Sequence, residues 1–255
     1  MRLINAEFLK LRKRRGLSWG SLFLIVCLPL IIFLILEILH LADAAKHGPP
    51  GGQGAFGNWL GGVFSGGVVA AMIIGAIAGT ADVSSGVFRD LVATGRSRWQ
   101  LFIARVPGAL MLLLPIVTLG FVLIMIINLV FSGSNPTPGP SHMAQAYGWL
   151  LLGTGFALII ALGFASLIGS RVASIGVLLG WQLVASPILL QVRSLGPARQ
   201  ALYTGALARL NPVPTLGGPV TTTVTHSAIV AVFVLVAWIL VMLGLGAWRT
   251  ATRDA

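Results

Sequence analysis

VPGALMLLLPIVTLGFVLIMIINLVFSGSNPTPGPSHMAQAYGWLLLGTGFALIIALGFASLIGS, Val106 to Ser170, is 65 residues without one Asp, Glu, Lys or Arg. A membrane span needs about 20 apolar residues, so this stretch holds two. FSGSNPTPGPSH (Phe131–His142), with three prolines and two glycines, divides them. That composition predicts a loop rather than a continuing helix. Four further stretches are charge-free: 16–36, 48–81, 172–192 and 210–248. Each is long enough for one crossing.

The composition agrees. The chain has 255 residues, 56% hydrophobic and 9% charged, against roughly 25% charged in a soluble domain. This excludes a soluble enzyme of this size, and the hydrophobicity excludes intrinsic disorder. The reading is an all-α integral membrane protein forming a single transmembrane domain over 1–255. Six spans are predicted at about 17–39, 58–79, 106–131, 146–169, 175–191 and 227–248.

The net charge of +11 would suggest nucleic acid in a soluble domain. Here the basic residues flank apolar runs, so they read as contacts to anionic lipid and as topology signals, with no nucleic-acid partner. With the N-terminus inside, 13 Lys and Arg fall on the inner side and four (Lys46, Arg193, Arg199, Arg209) on the outer. Six spans with both termini cytoplasmic satisfy that bias. The first apolar run exceeds the 7–15 residues of a signal-peptide core, so it reads as a retained span although Ala42-Asp43-Ala44 has a small-x-small form. The single cysteine, Cys27, excludes an intramolecular disulfide and zinc-type spacing. Three lysines against 14 arginines hint at a GC-rich bacterial genome.

Three segments carry more than hydropathy. In residues 1–16, Leu3, Ile4, Phe8 and Leu11 share a helical face, and Glu7 and Lys10 are spaced to pair. This predicts an amphipathic helix on the inner leaflet; a plain basic flank is the alternative. The segment TADVSSGVFRDLVATGRSRWQLFIAR (80–105) is patterned beyond a turn. Asp82 or Ser84 is placed to cap a short helix whose stripe is Val87, Phe88 and Leu91, which Thr94-Gly95 would end. A short inner helix with apolar and charged groups suits docking to a soluble partner; a solvated loop is the alternative. The third segment pair is two stripes of small residues, Gly67, Ala71, Gly75, Gly79 and Gly153, Ala157, Ala161, Ala165, Gly169, which let helices approach closely. Residues 192–225 form a long, rather apolar outer loop, read either as short helices at or dipping into the surface or as an ordinary loop.

Several chemistries are missing. No lysine follows a glycine-rich phosphate loop. No ionisable residue sits mid-span, which argues against an ion-coupled carrier; Glu37 is expected near outer headgroups. His40, His47, His142 and His226 lie at outer edges with no metal-ligand spacing. An intramembrane serine protease would have to use Ser166 and His226, which the topology puts at opposite ends of the membrane.

AEFLKLR (Ala6–Arg12), and DVSSGVFRDL (Asp82–Leu91) followed by Gly95-Arg96-Ser97-Arg98 and Arg105, together resemble the permease subunits of ATP-binding-cassette exporters of the type-two class. The resemblance extends to six spans and a short basic tail. It implies that Glu7, Phe8, Lys10 and Leu11 lie on an elbow helix. It implies a coupling helix within 80–105, with Ser84, Gly86, Arg89, Asp90, Leu91, Gly95, Arg96 and Arg98 facing a cytoplasmic ABC ATPase, and re-entrant helices in 192–225. It further implies two permease copies with two ATPases in a bacterial cytoplasmic membrane. The chain itself would be non-catalytic and bind no cofactor, ATP and Mg residing on the partner. The uncharged interior favours hydrophobic or amphipathic cargo. A membrane sensor or resistance subunit and a passive channel are the alternative readings.

Overall fold

The computed structural model describes residues 2–84, 95, 97–213 and 227–252. These residues contain helices and no strands. Six helices are long and apolar enough to cross a membrane.

A short helix, α1 (Arg2–Arg12), precedes the spans. The spans are α2 (Arg15–Ala42), α3 (Gln53–Ser84), α4 (Arg98–Val130), α5 (Pro140–Ile168), α6 (Arg171–Gln191) and α8 (Ala228–Thr252). Between α6 and α8 lie a 3-10 segment (Arg193–Ala201) and the short helix α7 (Tyr203–Arg209). Part of the 192–225 loop is therefore short helices; residues 214–226 lie outside the described set.

Three boundaries differ from expectation for identifiable reasons. The helix of the fourth span begins at Pro140, not near 146, because proline at the first helical position needs no amide partner and suits the helix φ. The second span continues through Asp82 to Ser84, so Asp82 does not cap a loop helix; the ion pairs described below hold it in α3. The third starts at Arg98, where Ser97 Oγ accepts from the Gln100 amide. Arg98 and the run Trp99–Arg105 thus belong to the span rather than to a loop.

The core is α3, α4 and α5. The two small-residue stripes face each other. A Cβ on Gly75 would lie 2.5 Å from the Leu158 carbonyl oxygen, and one on Gly79 2.6 Å from that of Leu162. Gly67 abuts the Thr154 methyl, and Gly153 the Phe64 ring. Ala71, Ala157, Ala161 and Ala165 are buried in the same seam. A second close crossing, which the stripes do not contain, joins α5 to α8. There a Cβ on Gly163 would run into the Met242 carbonyl oxygen, and Gly246 rests on the Gly163 backbone.

Helices α2, α6 and α8 are peripheral and expose large apolar side chains such as Ile35, Val184, Phe233 and Leu240. Two of them share a device. Residues Phe23–Cys27 of α2 and Trp181–Ala185 of α6 form π-helical turns, each ending two residues before a proline, Pro29 and Pro187. Proline has no N–H and crowds the carbonyl four residues back; the wider turn relieves that crowding. In α2 the loosened carbonyls pack on glycine. Leu24 O meets Gly66, and Ile25 O lies 2.9 Å from where a Gly120 Cβ would be. Such contacts fit weak Cα–H···O bonds.

At the end of the bundle away from α1, the aromatic rings of Phe33, Trp59 and Phe131 cluster, with Phe33 and Phe131 centroids 4.8 Å apart. Trp59 Nε1 donates to Pro50 O at 2.7 Å, fixing the α2–α3 loop there.

Candidate functional site

α1, the C-terminal end of α3 and the N-terminal end of α4 meet at one end of the bundle. α1 packs on α4 at Gly108, where a Cβ would lie 2.6 Å from Glu7 Cβ. The buried residues of α1 are Glu7 and Leu11, with Leu3, Ile4 and Phe8 half-buried. The face turned to protein therefore includes a carboxylate, which the apolar stripe alone does not predict.

Burying Glu7 requires a partner, and the fold supplies one. Lys10 Nζ lies 2.6 Å from Glu7 Oε1, the pair expected from their spacing, and 2.8 Å from Asp82 Oδ1 on α3. Asp82 Oδ2 accepts from Arg105 Nη2 on α4 at 2.8 Å. Arg105 Nη1 donates to Gly79 O at 3.4 Å, and Ser166 Oγ on α5 donates to the same carbonyl at 3.2 Å. Four elements are thus tied by one polar chain. Arg105 is 1% exposed, Asp82 4% and Glu7 7%. The positions just outside the 85–97 segment are therefore anchored both to each other and to α1.

Although burial opposes the charge on Lys10, its hydrogen bonds and the Asp82 and Glu7 carboxylates win, and its pKa is raised above the usual lysine value. Because the folded pKa is raised, the stabilisation is fully present below the ordinary lysine range and is lost as pH climbs through the raised value. Docking of α1 is therefore expected to be insensitive to pH around neutrality. Lys10→Met is expected to increase amide hydrogen exchange across 2–12 while leaving exchange in α3 and α5 unchanged; protection equal to wild type would show that apolar packing alone holds α1.

Of the residues assigned to the coupling segment, Gly86, Arg89, Asp90, Leu91 and Arg96 lie outside the described residues. Ser84 is the last residue of α3. Gly95 is exposed with φ +80°, the conformation of a glycine that ends a helix. Arg98 is turned inward to the bundle, its Nη1 donating to Ala251 O in the last turn of α8 at 2.8 Å. Glu37 is half-buried, with Oε2 shielded and unpaired among the described residues. Ser166 is bound to Gly79 O, and His226 lies outside the described residues. His40 Nδ1 is 2.6 Å from His47 O, a loop contact.

The opposite half of the bundle holds a second feature that counting charges misses. A cavity of about 250 Å³ lies among α3, α5, α6 and α7, with Ser65, Gln182, Ser186, Tyr203, Thr204 and Asn211 in its lining. Tyr203 Oη donates to Gln182 Oε1 at 2.7 Å, and Ser186 Oγ is hydrogen-bonded to Thr204 Oγ1. The π turn of α6 carries Gln182, and Ser186 follows directly. Phe64 and Trp149 stack beside it, centroids 4.3 Å apart. The signal in sequence was an amide inside a charge-free span, Gln182, with a second just past α7, Asn211.

The sequence matches no protein-family model, and comparison with curated proteins returns no match.

Proposed function

We propose that this chain is the membrane-spanning permease subunit of an ATP-binding-cassette exporter, working with a separate ATPase and a second permease copy in a bacterial cytoplasmic membrane. The observation that carries the reading is the chain of contacts from Glu7 and Lys10 through Asp82 to Arg105. It makes one mechanical body of an interfacial helix and the two flanks of segment 85–97. Such a body suits a part that is pushed from outside the membrane. A shift of the segment would reach α3 and α4 directly and α5 through the Gly79 carbonyl.

The orientation supports the same reading. The end of the bundle carrying this network also carries the basic residues of α1, Arg98, Arg171 and Arg249, which is the pattern that the positive-inside rule associates with a cytoplasmic end. Residues 85–97 would then face a soluble ATPase.

Affinity purification of the tagged chain in mild detergent is expected to bring down a stoichiometric soluble ATPase. Arg89→Glu is expected to reduce that ATPase by an order of magnitude without lowering the amount of inserted chain. Equal recovery with Arg89→Glu would remove the coupling assignment, and a bundle that purifies alone would favour the channel or sensor reading. Arg98→Glu is a poorer probe, because it also removes the bond to Ala251 in α8.

A further inference from the structure

Six hydroxyl side chains in the spans follow one habit. Ser21, Thr80, Thr118, Thr154, Ser174 and Thr250 each donate to the carbonyl four residues back. That bond is what a hydroxyl needs where water is absent. Ser65 on α3 departs from it: its Oγ has no hydrogen-bond partner among the described residues, and it lies at the edge of the polar cavity.

Two more donors there are uncommitted. Gln182 uses its carbonyl for Tyr203 and leaves its amide NH2 without a partner among the described residues. Asn211 uses its carbonyl for the Val213 amide, and its NH2 has no partner among the described residues. Ser65 is exposed and Gln182 and Asn211 are half-buried, so the three donors are open to an occupant of the cavity that brings acceptors. Among the described residues no Asp, Glu, Lys, Arg or His lines it, so none of them compensates a charged occupant for leaving water.

The neighbouring surface says what the rest of that occupant is. Trp149 and Leu207 line this cavity and also a wider apolar groove of about 820 Å³ between α5 and α8. Trp149 Nε1 donates to Leu207 O at 2.9 Å, so the two residues form one wall shared by a polar chamber and an apolar one. The chamber has room for several waters at about 30 Å³ each, which accommodates a head of glycerol size.

We propose that the cavity among α3, α5, α6 and α7 binds the uncharged, oxygen-bearing head of an amphiphile, with its apolar chain in the groove across the Trp149–Leu207 wall. Ser65, Gln182 and Asn211 donate to the head, and the Phe64 and Trp149 rings flank it. Binding stands apart from the exporter reading; only the role of the bound amphiphile as cargo rests on that reading.

The test uses the full chain in phosphatidylcholine nanodiscs with a monoacylglycerol carrying a photoreactive diazirine on its acyl chain. Peptide mapping after irradiation is expected to place label on α5 and α7 around Trp149 and Leu207. Loss of one good hydrogen bond corresponds to about a fivefold drop in affinity. Gln182→Leu and Asn211→Leu are each expected to reduce labelling there by about that factor, while label on the bilayer-facing Phe233 of α8 stays constant and reports an intact bundle. The matching diazirine fatty acid, ionised at its carboxylate, is expected to show no enrichment at Trp149. Should Gln182→Leu not accumulate, the near-isosteric Gln182→Glu serves, with the same loss expected.

Equal labelling in wild type and variants overturns the proposal, as does equal enrichment of the fatty acid, and water alone occupies the chamber if neither probe enriches. A chain that recovers an ATPase but shows no enrichment overturns this inference and spares the exporter reading. Enrichment without a partner ATPase does the reverse.

Discussion

Replacing Arg105 with methionine is expected to destabilise the bundle by about 3 kcal/mol, the lower end for breaking a buried pair, because Asp82 Oδ2 loses its partner and the half-exposed Lys10 is left to serve both Asp82 and Glu7. The guanidinium is 1% exposed, holds Asp82 Oδ2 at 2.8 Å and reaches the Gly79 carbonyl. Methionine fills much of the volume, so the loss isolates charge and hydrogen bonding from packing. Lys10 cannot take over, since it lies on the other oxygen of Asp82 and also serves Glu7. The double variant Asp82→Asn with Arg105→Met is expected to recover part of the loss, because it removes a buried carboxylate that Lys10 alone would otherwise have to balance. Thermal unfolding of the purified chain measures both. A single variant as stable as wild type would mean that Asp82 finds water or another cation, and that the pair does not hold α3 to α4. Adding the Asp82→Asn single variant completes the double-mutant cycle, which gives the coupling energy of the pair.

The second large effect is steric. Gly75→Val is expected to destabilise the α3–α5 contact by about 3 kcal/mol or more, at the upper end for overpacking. A Cβ there would lie 2.5 Å from Leu158 O, 2.8 Å from Ala161 Cβ and 3.0 Å from Leu162 N. Two of those atoms are backbone, so no rotamer change relieves the clash and the helices must part. Gly153→Ala, in the facing stripe, is expected to be milder. Its new methyl would meet the Phe64 ring, which can turn, rather than the backbone. Gly176→Ala, with nothing within 4 Å, serves as the neutral control. The fraction of chain eluting as a monodisperse species after mild heating ranks the three. Any order other than Gly75→Val worst and Gly176→Ala best would deny that close backbone approach sets the geometry of the core.

The number of spans was legible because hydrocarbon thickness sets a length and charge is excluded from it. Their ends were less so, since the same residue types have two uses. Pro140 in a proline-rich run reads as a breaker, yet at the first position of a helix it is an initiator. Asp82 after a glycine-rich span reads as a cap, yet it is inside the helix because cations from α1 and α4 reach it. The network was hidden for a related reason. Asp82 and Arg105 are 23 residues apart in sequence, and charges at span ends ordinarily mark topology. Only burial separates the two meanings. The polar cavity was hidden because its amides are uncharged, and Gln182 reads as part of an apolar run.

The π turns of α2 and α6 alter how these two helices are to be compared with relatives. The buried residues of α2 are Ser21, Ile25, Pro29 and Phe33, and those of α6 include Ser174, Leu178, Ser186 and Leu190. All are spaced by four or eight. In an unbroken α-helix each step of four drifts by about 40°, so three steps would carry Phe33 about 120° away from Ser21. The wider turn takes in slack and returns Phe33 to Trp59 and Phe131. Each of these helices therefore holds one residue more than its length requires, tied to one proline. Evolution should lose the two together: a relative lacking Pro29 or Pro187 is expected to carry a one-residue gap within the preceding turn. An alignment that forbids gaps inside spans would then place every later residue of that helix on the wrong face.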